Sequence, residues 1–125
     1  MCPRSSRAKG AQGEEIARNY LKVLGYKILD VNFHARSSEI DIIAQDDSTL
    51  VFIEVKSSTR ESSFGDPIGW VPAWKQNRII RASLVYLKAK GISELPMRFD
   101  VITISKEKKV LHVRDAFRAA YPFSM

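Results

Sequence analysis

Cysteine is almost missing from this chain, whose 125 residues include one, Cys2, at the extreme N-terminus. A lone cysteine excludes an internal disulfide, and no Cys/His spacing suits a zinc site. A reducing, cytoplasmic setting is therefore expected. Histidine is scarce as well: His34 and His112 stand isolated, and neither is given a chemical role. No apolar run is long enough to span a bilayer, so no membrane partner is expected. The opening MCPRSSRAKG is basic but lacks the apolar centre of a signal peptide, so secretion is not expected. Repeats are absent, and so is low-complexity sequence beyond the first dozen residues.

What is present is an ordinary globular balance, 45% hydrophobic and 27% charged, at a length that suits one core. We expect a basic, flexible N-terminus over 1–12 and a single domain over 13–125. Lys and Arg number 20 against 14 acids, a net charge of +6. A basic surface suits polyanions such as nucleic acid, although charge of this size also serves solubility alone.

Hydrophobic spacing predicts a helix in GEEIARNYLKVLG, with Gly25 as its stop and Glu14 and Glu15 in its first turn. Strands are expected at YKILDVNF, SEIDIIAQ and TLVFIEVK. A second helix, AWKQNRIIRASLVYLKAK, would turn Trp74, Ile80, Leu84 and Leu87 inward. Two closing strands, MRFDVITIS and KVLHVRD, are joined by the charged turn KEKK. The tail AFRAAYPFSM reads as either a short helix or a docked coil. The order α-β-β-β-α-β-β predicts an α/β fold, a mixed sheet flanked by helices.

The second and third strands carry charge where a hairpin should be apolar. With Asp47 and Ser48 as a two-residue turn, Asp41 falls opposite Glu54, and Lys56 follows on the same face. The other face would carry Ile40, Ile42, Val51, Ile53 and Val55. Like charges placed opposite one another destabilise a strand pair, so they need a proton, a cation or a wet edge. Mg²⁺, or Mn²⁺ in its place, resolves the conflict with oxygen ligands from Asp41, Glu54 and the Val55 carbonyl. Lys56 would then hold water and stabilise charge on a phosphate. Such a set suits phosphodiester hydrolysis, because the metal polarises the phosphoryl oxygen and makes hydroxide available near neutral pH. The plain alternative is a solvated hairpin face, and a register shift of one residue would undo the pairing.

Asp41, twelve intervening residues and then Glu54-Val55-Lys56 resemble the PD-(D/E)XK signature of restriction-endonuclease-like proteins. More narrowly, the chain is similar to the YraN-like bacterial family, through GEEIARNYLKVLGYKIL, EIDIIAQD, LVFIEVKSS, VPAWKQNRIIRASLVYL and RFDVITI in that order. The resemblance implies a restriction-endonuclease-like core related to archaeal Holliday-junction resolvases. It assigns Asp41 and Glu54 as metal ligands and Lys56 as the catalytic lysine. It adds Glu14 as an acid completing the metal site, against which stands its reading as a helix-dipole acid. It also matches Lys75, followed by Arg78 and Arg81, a stripe suited either to phosphate or to plain solvation. Arg60 is the first basic residue after the motif, because Ser57 and Ser58 stand where the family often has one. Ser38 replaces a usual glycine. Asp100 is read as a structural partner for a lysine or arginine.

Two functions follow. One is a metal-dependent nuclease acting on DNA, with branched or damaged structures in view, for which symmetric cutting would call for a homodimer. The other is a non-catalytic nucleic-acid-binding module of the same fold. A scaffold whose basic face meets another protein is a weaker third.

Overall fold

Helix α1 spans Pro3–Val23 and so begins well ahead of Gly13. Arg, Ala, Lys and Gln in the added stretch are all good helix formers. The computed structural model describes residues 3–36, 38–57 and 71–118, with side chains in α1 from residue 12 onward. The earlier start moves Glu14 and Glu15 to mid-helix, and no acid lies in the first turn. A helix-dipole role for Glu14 is thereby removed, since that effect fades within one turn. Gly25, at φ 96°, ends the helix, with its N–H donating to Lys22 O and the Tyr26 N–H to Leu21 O.

Strands β1 (Lys27–Ala35), β2 (Ser38–Asp46) and β3 (Thr49–Ser57) form an antiparallel meander. Helix α2 (Ala73–Lys90) crosses over to β4 (Met97–Ile104), which pairs with β3 in parallel, and β5 (Val110–Phe117) closes the edge. The sheet order is β1-β2-β3-β4-β5, and the α/β arrangement and element order are those expected. β5 takes in Ala116 and Phe117 from the ambiguous tail; residues 119–125 lie outside the described residues, as does Cys2. No helix among the described residues is long and apolar enough to cross a membrane.

Both faces of the central strands are buried, which is why β2 and β3 read as nearly continuous apolar runs. On one face Ala17 and Leu21 of α1 pack with Ile42, Val51, Ile53 and Ile102. On the other, Ile79, Ile80 and Tyr86 of α2 pack with Ile43, Phe52 and Phe99. Gly13 lets α1 approach the end of β3, because a Cβ there would run into the Ser57 hydroxyl.

Two expectations about facing side chains are corrected. Trp74 and Leu84 are exposed, at 60% and 40%, rather than inward. The buried row of α2 is Ile79, Ile80, Ala82, Ser83 and Tyr86. Its small members Ala82 and Ser83 let the helix lie close to the sheet, where Leu84 would not fit. Ile40 packs on the α2 side while Ile42 packs on the α1 side, so strict alternation breaks at Asp41. Asn32 of β1, which falls opposite Asp41 between the pairs Val31–Ile42 and Phe33–Ile40, adopts φ 50°.

Candidate active site

The β2–β3 hairpin turns at Asp47, with φ 60°, and Asp46 pairs with Thr49. From there the register runs as expected up to Ile42 opposite Ile53, and ladder pairing ends at that point. Asp41 and Glu54 are the next residues along. Instead of a ladder bond, the Val55 N–H donates to Asp41 Oδ2 at 2.8 Å. The break in alternation thus turns an acid onto the neighbouring strand's backbone at the mouth of the hairpin.

Glu54 is 5% exposed, and its Oε2 lies 2.7 Å from Lys75 Nζ on α2. Burial drives the Asp41 carboxyl upward, and the Glu54 carboxylate adds to it; together they outweigh the Val55 N–H and push its pKa up to about 8. Asp41 therefore holds a proton near neutral pH unless a cation replaces it. Burial alone would lower the Lys75 pKa, but the neighbouring Glu54 carboxylate more than offsets this and the ammonium form is favoured. Lys56, half-buried on β3, lies against the Lys75 side chain.

Glu14 reaches the same field from α1. Burial raises its pKa, the Glu39 carboxylate raises it further, and Glu54 contributes in the same direction. With its amide nitrogen turned toward the acids, Asn32 donates to Glu39 Oε2 at 2.9 Å and to Glu14 Oε1 at 3.1 Å. Glu14, Asp41 and Glu54 are thus electrostatically linked, with Glu39 and Asn32 as members that sequence reasoning did not single out. An asparagine in a strand, at a φ that strands avoid, is a weak signal that needs the paired register to be interpreted.

Among the described residues, no group of three or more acidic, histidine or cysteine side chains is assembled to hold a metal ion. The two carboxylates are hard oxygen donors, and Asp41 is held in its uncharged form by burial and by the second. Thr103 Oγ1 is buried without a hydrogen-bond partner among the described residues. Thr103 pairs with Lys56 across β3–β4 and shares the face of Val101, so its hydroxyl lies on the side of the acids. Two carboxylates and an unsatisfied hydroxyl fit an ion that keeps several waters.

The basic residues divide. Lys75 is drawn into the site, whereas Arg78 and Arg81 are exposed on α2, with the Arg78 guanidinium 5.1 Å from the centre of the Trp74 ring. Arg60 lies outside the described residues.

Asp100 serves structure, as its sequence setting suggested. It is fully buried on the α1 face and takes Arg98 Nε at 3.0 Å and the Asp115 N–H at 2.9 Å. His112 is not isolated: its Nε2 lies 2.7 Å from Asp100 Oδ2, and its Nδ1 is 3.2 Å from the Tyr20 hydroxyl. Nothing in the linear spacing revealed this, because Tyr20 on α1 and His112 on β5 are brought together only by the fold. His34 lies 4.0 Å from Glu39 on the neighbouring strand.

With this geometry in view, comparison with known sequences is decisive. The family model described as Uncharacterised protein family UPF0102 matches residues 13–104. The chain belongs to the UPF0102 family. A UPF0102 protein of Geobacter sulfurreducens is 41% identical over 116 residues, covering 90% of each chain. One of Nitrosococcus oceani is 42% identical over 122 residues, covering 94% of this chain and 98% of its own. One of Clostridium perfringens is 43% identical over 114 residues, covering 87% and 93%. The YraN-like resemblance is thereby borne out at the level of the family. The UPF0102 match spans Glu14, Asp41, Glu54, Lys56 and Lys75, and stops before His112.

Proposed function

We propose that this UPF0102 protein is a metal-dependent nuclease that hydrolyses phosphodiester bonds in DNA. The observation that carries the reading is the pairing of half-buried Asp41 with buried Glu54. A carboxyl held near pKa 8 by burial and by a second carboxylate is unfavourable for packing alone, and it gains an explanation if a divalent cation replaces the proton. Asp41, Glu54 and the Val55 carbonyl would hold the ion, with Glu14 adding negative charge from α1. Mg²⁺, when bound, supplies Lewis-acid polarisation of the phosphoryl group. Lys56 would hold the attacking water and stabilise negative charge growing on phosphate. Lys75 neutralises Glu54 while the cation is absent and is placed to turn toward a phosphate when it is present.

The test is cleavage of labelled branched, single-stranded and duplex DNA in Mg²⁺ or Mn²⁺. Asp41→Ala, Glu54→Ala and Lys56→Ala are each expected to slow it by about 10²-fold or more, the usual cost of losing a group that stabilises the transition state. Cleavage at equal rates by wild type and all three variants would remove the reading.

One observation favours a second reading, a nuclease-like module that binds without cutting. The Lys75 ammonium already neutralises Glu54, and no three-ligand cluster is assembled among the described residues. That module would bind nucleic acid with salt-dependent affinity in the presence of a chelator and would show no response to Mg²⁺.

A further inference from the structure

We propose that Trp74, braced by Arg78, is a stacking platform for an unpaired base, so that the preferred substrate carries single-stranded character beside the cleavage site. The proposal rests on the reading of the site as one that handles nucleic acid. Trp74 is the most exposed large hydrophobic residue of α2, at 60%, and it stands next in sequence to Lys75, whose ammonium touches Glu54. An indole left in water at the rim of a charged site needs a reason, since aromatic side chains ordinarily bury. Trp74, Arg78 and Arg81 recur at i, i+4 and i+7, which places them along one side of the helix. Arg78 lies over the indole at 5.1 Å, a cation–π contact that fixes the ring's orientation while leaving much of it open.

The charge of the helix selects the occupant. Helix α2 contains five basic residues, Lys75, Arg78, Arg81, Lys88 and Lys90, and no acid. A protein partner would meet an apolar ring beside the exposed guanidinium groups of Arg78 and Arg81. A nucleic-acid strand offers phosphates to the arginines and a flat base to the indole at the same time. Paired bases inside a duplex are already stacked on their neighbours and present only edges and backbone. The exposed indole therefore gains nothing from intact duplex and stacks on a base freed at a gap, fork or single strand. With Lys75 and Lys56 one side chain further in, the phosphate beside that base would face Asp41 and Glu54.

The experiment is fluorescence-anisotropy binding of the full chain, in EDTA, to two DNAs of equal length. One is a blunt duplex and the other a duplex with a single-stranded arm. Trp74→Ala is expected to weaken binding to the armed DNA by about tenfold and to change blunt-duplex binding by less than about twofold. Trp74→Phe should keep most of the armed-DNA affinity, because a smaller ring still stacks. Equal loss on both DNAs, no loss on either, or no binding by wild type would overturn the platform. Because no metal is present, this result is independent of hydrolysis. A Trp74-dependent preference with no Mn²⁺-dependent cleavage would sink the nuclease reading alone, and cleavage without that preference would sink the platform alone.

Discussion

Asp41 meets two opposed demands: its backbone neighbours need an acceptor at the end of the hairpin, while its surroundings resist its charge. The Val55 N–H satisfies the first, and burial beside Glu54 creates the second, lifting the pKa to about 8. Because the folded value lies above the ordinary one, near 3.8, the folded state binds the extra proton. The associated stability is fully present below pH 3.8 and is lost as pH rises through about 8. Asp41→Asn keeps an acceptor for Val55 and carries no charge at any pH. In chelator, urea melts should show the variant gaining on wild type steadily from pH 5 to pH 9, by a few kcal/mol as an order of magnitude. A difference that stays constant from pH 5 to 9 would mean that Asp41 titrates as an ordinary surface acid. The same proton competes with Mg²⁺, so metal affinity should climb over this range.

At the scale of elements, α2 is docked at its N-terminal end by a charge as well as by packing. Its N-cap, Pro72, supplies no side-chain bond, and the Lys75–Glu54 pair fastens the first turn to β3. Glu54 is nearly fully buried, so removing its cation leaves an uncompensated charge. Lys75 itself is one-third exposed, which softens the penalty. Lys75→Met should lower stability by about 1–3 kcal/mol in denaturant melts, and adding Glu54→Gln should recover part of it. An unchanged midpoint for Lys75→Met would show that the pair is not maintained in solution. The turn at Asp47 was legible because strand lengths and a polar dipeptide fix a hairpin's register. The exposed side of α2 was not, because its apolar residues surround the helix and only the small Ala82 and Ser83 mark the side that fits. Nor was the break in alternation at Asp41 legible, since Asn32 reaches positive φ without a glycine to signal it.

At the scale of the molecule, the sheet separates two polar clusters. The layer order could be read from the element order, because a meander followed by a crossover helix leaves few topologies. The Asp100 cluster could be read only in part: Arg98 lies two residues away, but Asp46, Tyr26 and His112 arrive from other strands and loops. Although Asp100 pairs with Ile53, the residue next to Glu54, it faces α1, whereas the acids of the candidate site lie at the mouth of the hairpin. Burial alone would raise the Asp100 pKa, but His112, Arg98 and the Asp115 N–H together lower it, so its stabilisation holds at neutral pH and is lost on acidification. The two clusters share no hydrogen-bonding partner among the described residues, so changes in them should add. Asp100→Asn is expected to cost about 2–4 kcal/mol, because it weakens a fully buried network. Saturating Mg²⁺ should then raise the stability of wild type and of Asp100→Asn by the same increment, within about 0.5 kcal/mol. In Asp41→Ala that increment should vanish. Thermal or urea melts with and without Mg²⁺ measure all three. An increment lost in Asp100→Asn but kept in Asp41→Ala would place the cation on the α1 face, with the Asp100 network as its holder.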